Sequence, residues 1–459
     1  MVVVERIESA GLSHYSYLIG DSGEAVVIDP RLDYDPYLDL AYEEGFRISH
    51  ILETHRNEDY VVGSLQLACM TGAEIWHADS QWDYKYGNQV LEKHEWEIGD
   101  LKLKAILTPG HTPGSMSYLL HDPEGNPWML FTGDVLFAGD VGRVDLLGPE
   151  KMEEMAGQLY DTLFNKILPL GDGIIVCPAH GSGSVCGSAI AERTWTTIGL
   201  EKTSNPALQC KDKTEFVSGV SRQLEMPPYF KMMEKMNLNP QPELPLPPPL
   251  KPEEFEERAK EAIILDTRNE VEFGGAHIIN SLSIWLEGLP TYAGWFLPYG
   301  VPILLVTGKK EDALDAVRYL ARIGYNNVVG YLSRGMHGWH MAGKESDSTD
   351  TILVQELCRR LDDGEPTWIL DVRSDKELQE VGYIPRAHHI HITQLSQRMD
   401  EVPKDQNRVY IFCGSSLRST TAASILKRNG WENITVVLGG IAGWNSITCP
   451  IKNLKDKQK

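Results

Sequence analysis

Five short segments carry side chains whose types and settings suit chemistry. T-H-R-N-E-D-Y-V-V-G, residues 54 to 63, holds His55 and Asp59; T-P-G-H-T-P-G-S holds His111; F-T-G-D-V-L-F holds Asp134; and C-P-A-H-G-S-G-S holds His180. Imidazoles and carboxylates are the side chains that bind transition metals. A single histidine is usually a surface residue or a satisfied core residue. Four segments in this order, each a strand-like run ending in a Gly- or Pro-rich turn, are much harder to explain as structure alone. The fifth segment, V-Y-I-F-C-G-S-S-L-R-S, ends a strand-like run in Cys413.

A thiol at the C-terminal end of a parallel strand sits where open α/β sheets bind ligands. The loop Gly414, Ser415, Ser416, Leu417 and the helix that follows turn N–H groups toward the sulfur, and Arg418 adds a positive charge. Both favour a thiolate, or a persulfide anion carried on it. The plainer alternative is a buried cysteine acting as a small apolar side chain.

The elements that must position these residues follow from the pattern of the chain. Up to about residue 200, runs such as VVVERIE, YSYLIGDSG, AVVIDP and SHILETH alternate with Gly, Asp and Pro punctuation and predict short strands. After His180 the sequence predicts helices. Residues 240 to 255, PQPELPLPPPLKPEEF, are dense enough in proline to predict a semi-rigid linker that is neither helix nor central strand. Beyond it the chain repeats itself. AIILDTRNEVEFGGAHI matches WILDVRSDKELQEVGYI, and VPILLVTGKKEDALDAVRYLARIGYNNVVGYLSRGMHGW matches RVYIFCGSSLRSTTAASILKRNGWENITVVLGGIAGW. Alternating strands and helices, written twice, predict two similar domains with parallel sheets.

Composition narrows the class. The 459 residues suggest about three domains. A net charge of −22 argues against nucleic acid or an anionic membrane as partner. No apolar run reaches the roughly 20 residues of a membrane span, and the N-terminus lacks the pattern of a signal peptide. Seven scattered cysteines without a CxxC pair predict free thiols, and so a cytoplasmic location, over a disulfide framework or a structural zinc site.

The repeated half resembles a tandem rhodanese module, over about 255 to 455. The resemblance rests on the Cys413-to-Arg418 loop with four residues between, one fewer than in related phosphatases. It implies a catalytic domain at 350–455, with Cys413 carrying sulfane sulfur and the loop from Gly414 to Leu417 binding substrate beside Arg418. Many members have glycine where Ser416 stands. At 256–345, Thr307 replaces the cysteine and Asp312 the arginine, which implies a domain unable to form a persulfide.

The four histidine and aspartate segments, with the strand pattern, resemble the metallo-β-lactamase fold over residues 1–239. The whole chain is then expected to be α/β: an αββα sandwich followed by two rhodanese-like domains with parallel sheets. Hydrolases of that fold commonly hold two metals, but here Asn57 and Tyr60 stand where two of the histidines would be. Asparagine is a poor zinc ligand and tyrosine would have to ionise. The arrangement resembles the persulfide dioxygenases of this fold, which implies His55, His111 and Asp134 as ligands of one Fe(II) per N-terminal domain, a facial triad with open positions. Asp59, Tyr60 and His180 are then expected around the ligands. Arg143 could hold a carboxylate or phosphate of the thiol carrier, or form a structural salt bridge. Cys186 could relay sulfur, or simply pack.

The combined resemblance implies oxidation of glutathione or coenzyme A persulfide by O₂ to sulfite, coupled through a Cys413 persulfide to thiosulfate as product or substrate, in a protein that self-associates. Two other readings stay open: a zinc thioester hydrolase of glyoxalase II type, and a sulfur carrier or sensor without enzymatic activity.

Overall fold

In the computed structural model, alternating side chains along the N-terminal strands enter two different cores. The strands β1 (Val3–Ser9), β2 (His14–Asp21), β3 (Glu24–Ile28), β4 (Arg47–Glu53), β5 (Glu74–His77) and β6 (Asn88–Gln89) make one sheet in that order. A second sheet holds β7 (Glu95–Ile98), β8 (Leu101–Leu107), β9 (Met116–His121), β10 (Pro127–Gly133), β11 (Ile175–Pro178) and β12 (Thr196–Thr197), also neighbour to neighbour. Successive residues of a strand face opposite ways. Tyr17 and Ile19 of β2, with Val26 and Ile28 of β3, therefore pack against Tyr118, Leu120 and Phe131 of the second sheet. Their neighbours Leu18, Ala25 and Val27 turn outward under Tyr37, Ala41 and Leu67 of the helices Asp35–Glu44 and Ser64–Thr71. On the other side Leu119 and Leu130 pack against Met155 and Leu159 of the helix Met152–Thr162. This is the expected αββα sandwich. Each fully buried Leu, Ile or Phe contributes roughly 1.5–3 kcal/mol, so the layer between the sheets holds the strand ends that carry the site.

The structure describes residues 1–187, 189–239, 246–404 and 408–447. Met1–Leu244, with Ala321–Gly324, forms one unit and the rest of the chain another. In the second unit, β13 (Pro249–Leu250), β14 (Ile263–Asp266), β15 (Leu282–Ser283), β16 (Ile303–Val306) and β17 (Val328–Leu332) form a sheet ordered β13-β17-β16-β14-β15. The strands β18 (Asp350–Leu353), β19 (Trp368–Asp371), β20 (His388–His389), β21 (Val409–Phe412) and β22 (Ile434–Leu438) form another, ordered β18-β22-β21-β19-β20. All these pairings are parallel, and the two orders are the same permutation. The sequence repeat is a repeat of topology. At matching strand ends, Asp266 grips Arg268 and Asp371 grips Arg373, each pair buried with a shortest N···O distance of 2.6 Å.

Two expectations need correction. The stretch 240–255 is not wholly linker: β13 pairs with β17 at a sheet edge, and the helix Pro252–Arg258 begins within it. Proline at the first turn loses no helical hydrogen bond, and an edge strand tolerates it. Residues 240–245 lie outside the described residues, as do 448–455 of the expected last domain. The cysteines are also not all thiols: Cys69, Cys177, Cys186, Cys210 and Cys413 are free, but Cys358 is disulfide-bonded. Spacing along the chain reveals frameworks of bridges, not a single one. No helix among the described residues is long and apolar enough to cross a membrane.

Candidate metal centre and reactive-cysteine loop

Each histidine and aspartate of the first site follows a strand end. β4 runs into Thr54 and His55, β8 into the turn carrying His111, β10 into Asp134, and β11 into His180. Gly133 makes the turn into Asp134 possible, for it has φ +52° and a Cβ there would lie 2.6 Å from the Thr54 hydroxyl.

Hydrogen bonds decide which ring nitrogens look inward. The Thr54 hydroxyl donates to Asp29 (2.7 Å), so it accepts from the Nδ1–H of His55 at 2.8 Å. The Nδ1–H of His111 donates to the Arg143 carbonyl at 3.0 Å. Both rings are thereby held with Nε2 free, the second-sphere arrangement common around metals. His180 is gripped on both sides, Nδ1 by Asp134 Oδ1 at 2.7 Å and Nε2 by Asp59 Oδ2 at 2.8 Å. With Asp134 Oδ1 occupied, Oδ2 faces His111 Nε2 at 3.6 Å and His55 Nε2 at 3.9 Å. These three inward atoms are buried and lack hydrogen-bond partners. Burial pushes the Asp134 carboxyl up, but the charges of His180, His55 and His111 outweigh it and hold the group well below the carboxylate range. Burial pushes His180 down, yet Asp134 and Asp59 hold it well above the usual imidazole value. The donor set fits a transition metal: two imidazole nitrogens and one carboxylate oxygen converge on one buried point.

One inward side chain was not foreseen. Glu58 places Oε1 3.1 Å from His111 Nε2 and Oε2 3.9 Å from His55 Nε2. Its only signal in the sequence is its place three residues after His55. Asn57 turns away and bonds the His55 carbonyl at 3.3 Å. Tyr60 is buried against the His14 ring, with its hydroxyl 3.5 Å from the Asp29 carbonyl. Burial pushes its phenol far above the usual value. Tyr60 acts on the site only through Asp29 and His14, whereas Asp59 and His180 touch the network directly.

Arg143 is spent inside the protein, with both ends of its guanidinium on Asp145 at 2.7 and 2.9 Å and Nη1 3.1 Å from the Val185 carbonyl. This geometry matches the salt-bridge alternative. A cavity of about 420 Å³ has Arg143 and Gly142 in its wall, but none of the metal-facing side chains. Cys186 is fully buried, with Sγ 3.6 Å from Glu58 Oε1. Burial, then Asp59, Asp134 and Glu58, push its thiol far up, so it is not a thiolate.

In the second unit, Cys413 follows β21 and is buried, and the Ser416 N–H points to its sulfur at 3.1 Å. Ser416 has φ +101°, the left-handed region that suits glycine. Gly414 lies against Arg418, for a Cβ there would stand 2.8 Å from its Nη2 and displace the guanidinium. Arg418 is not free to face the sulfur alone: Glu377 clamps it with two bonds of 2.7 and 2.6 Å. Glu377 is also the third residue of a capping box on Ser374, whose N–H donates to it at 2.8 Å. That S-x-x-E pattern is legible in the sequence, but its second duty toward Arg418 is not. Arg418 also bonds the Tyr292 hydroxyl, which the helix Leu289–Phe296 of the first repeat supplies. Nothing in the sequence marked Tyr292. In the first repeat the matching loop closes on itself: Thr307 donates to the Lys309 carbonyl at 2.7 Å and Asp312 accepts the Lys309 N–H at 3.0 Å.

Comparison with known proteins agrees with this architecture. Residues 10–180 match the metallo-beta-lactamase superfamily, and 251–342 and 353–447 each match the rhodanese-like domain. The mitochondrial persulfide dioxygenase ETHE1 of Bos taurus is 29% identical over 235 residues, which are 49% of this chain and 77% of that one. The hydroxyacylglutathione hydrolase GloC of Haemophilus influenzae is 30% identical over 217 residues, 43% of this chain and 92% of that one. A crystal structure of a metallo-beta-lactamase from Staphylococcus aureus subsp. aureus COL superposes with a TM-score of 0.64 at 31% identity, covering 72% of this chain and 98% of that one. With its fold, its strand-end donors and its duplicated parallel sheets, the chain belongs to the metallo-beta-lactamase superfamily and carries two rhodanese-like domains in tandem.

Proposed function

We propose that the protein oxidises a low-molecular-weight thiol persulfide at a mononuclear Fe(II) site and transfers sulfane sulfur through Cys413. The overall reaction at the first site is R–S–SH + O₂ + H₂O → R–SH + H₂SO₃. The observation that carries the reading is the set of three buried, partnerless donors: His55 Nε2, His111 Nε2 and Asp134 Oδ2. When bound there, Fe(II) supplies the redox chemistry that O₂ needs to react with sulfane sulfur. Around it, Thr54 and the Arg143 carbonyl hold the two rings, and His180 Nδ1 holds the carboxylate. Likeness to persulfide dioxygenases and to rhodanese domains supports sulfur metabolism as the setting.

At the second site a sulfane sulfur passes to the Cys413 thiolate: S₂O₃²⁻ + Cys413–S⁻ → Cys413–S–S⁻ + SO₃²⁻. One S–S bond breaks and one forms, and the electron pair of the broken bond leaves with sulfite. The Ser416 N–H stabilises the negative sulfur, and the helix that starts at Leu417 adds its positive end. The reverse direction makes thiosulfate from sulfite. Glutathione or coenzyme A is the expected carrier, in a cytoplasmic and self-associating protein.

A zinc thioester hydrolase is the second reading, favoured by the 30% identity to GloC. Anaerobic purification with metal analysis, then oxygen-electrode assays with glutathione persulfide, separates the two. Iron content with oxygen uptake and sulfite release is expected. Zinc content and no oxygen uptake after iron reconstitution would reject the dioxygenase.

A further inference from the structure

We propose that Glu58 is a fourth protein ligand of the metal, so that the centre is a two-histidine, two-carboxylate set and not an open triad. The proposal rests on the reading of His55, His111 and Asp134 as ligands.

The geometry is that of one coordination sphere. Metal bonds of roughly 2.1 Å set neighbouring ligand atoms about 3–3.5 Å apart at ordinary angles. Glu58 Oε1 is 3.1 Å from His111 Nε2, close to the spacing of that nitrogen from Asp134 Oδ2, 3.6 Å. Against His55 Nε2, Glu58 Oε2 and Asp134 Oδ2 both stand at 3.9 Å. Both carboxylates thus approach both imidazoles, Asp134 with one oxygen and Glu58 with one oxygen toward each ring.

Burial makes the same point. Glu58 is fully buried and Oε2 has no hydrogen-bond partner. Burying an ionised carboxylate without compensation costs several kcal/mol, and the side chains facing it are the two imidazoles, His111 Nε2 at 3.1 Å and His55 Nε2 at 3.9 Å. The nearby Arg56 is instead turned to Glu234 at 2.8 Å. The Nδ1 atoms of both imidazoles are already committed, so the inward Nε2 atoms carry lone pairs when the rings are neutral. The two Nε2 atoms and both carboxylates therefore converge on one buried point, as the ligands of a single ion do.

A fourth ligand changes the chemistry of the centre. Two carboxylates cancel the charge of a divalent metal, whereas the triad alone leaves one positive charge. An anionic persulfide therefore meets a neutral centre. The Cys186 thiol, 3.6 Å from Glu58 Oε1, offers the carboxylate a partner if substrate displaces it.

The test uses Co(II) added to the metal-free full chain, reading the d–d absorption bands and the affinity in Glu58→Gln, Glu58→Asp and His111→Ala. Glu58→Gln is expected to shift the bands and weaken Co(II) binding by at least about tenfold. Glu58→Asp keeps a carboxylate on a shorter arm and is expected to shift the bands with a smaller loss; this variant decides the matter if the Gln variant does not fold. Wild-type bands and affinity in a folded Glu58 variant, with binding abolished in His111→Ala, overturn the proposal and leave the triad standing. Wild-type binding in His111→Ala overturns both.

Discussion

His180 donates from Nδ1 to Asp134 at 2.7 Å while its other nitrogen lies 2.8 Å from Asp59, so one imidazole ring spans two carboxylates. His180 thus fixes which oxygen of Asp134 faces the metal site without itself facing it. Removing such an outer partner typically costs 10–100-fold in metal affinity. His180→Ala is expected to weaken Fe(II) or Co(II) binding by about that factor while keeping one equivalent at saturation. Metal titration by competition with a chelator measures it, and unchanged affinity would rule out the orienting role.

The Cys413 loop should separate the two activities. Cys413→Ser is expected to abolish thiosulfate-dependent sulfur transfer while leaving sulfite production from glutathione persulfide intact. Sulfur transfer surviving in this variant would remove Cys413 from the mechanism.

Ser416 tests the strain in that loop. At φ +101° a serine is strained where a glycine is not. Its hydroxyl also accepts the Gly439 N–H at 3.2 Å. Neither alanine nor glycine makes that bond, but only glycine relieves the backbone. Ser416→Gly is therefore expected to be more stable than Ser416→Ala by about 1 kcal/mol, read from denaturant melts.

The clamp on Arg418 should be felt in acid. Burial pushes Glu377 up, but the bonds to Arg418 and the Ser374 N–H win and bring it down to about 2. A carboxyl with a depressed folded value stabilises fully above its unfolded value of about 4.3 and loses that contribution as pH falls toward 2. After discounting for partial exposure, the contribution is about 1–3 kcal/mol. In Glu377→Gln, melting temperature should fall less steeply between pH 4.5 and 2 than in the wild type; equal slopes would exclude the linkage.

The matched ion pairs predict matched losses. Asp371→Asn and Asp266→Asn each leave an arginine buried without its counter-charge, and breaking such a pair costs about 3–5 kcal/mol. Unfolding of each variant measured by circular dichroism should lose stability in that range.

The sequence carried a large part of this. The strand-end positions of His55, His111, Asp134 and Cys413 were legible because a side chain presented at a strand end needs a turn behind it, and such turns are written in Gly and Pro. The duplication was legible because whole strand–helix units recur. Glu58 was not, because an acidic residue in a loop is ordinarily solvated and only the folded loop turns it inward. Tyr292 lies more than a hundred residues from Cys413 and joins it only through the packing of the two repeats. The helix at Pro252 was hidden by a proline-rich context that a helix start tolerates.

The self-closed loop of the first repeat bears on how reversible its silence is. Thr307 and Asp312 satisfy the carbonyl and the N–H of Lys309, so the loop is closed by its own side chains. Restoring a cysteine at 307 alone would put a thiol in a loop already occupied by an acid. At least two coordinated changes, at Thr307 and Asp312, separate this loop from the Cys413–Arg418 loop of the second repeat.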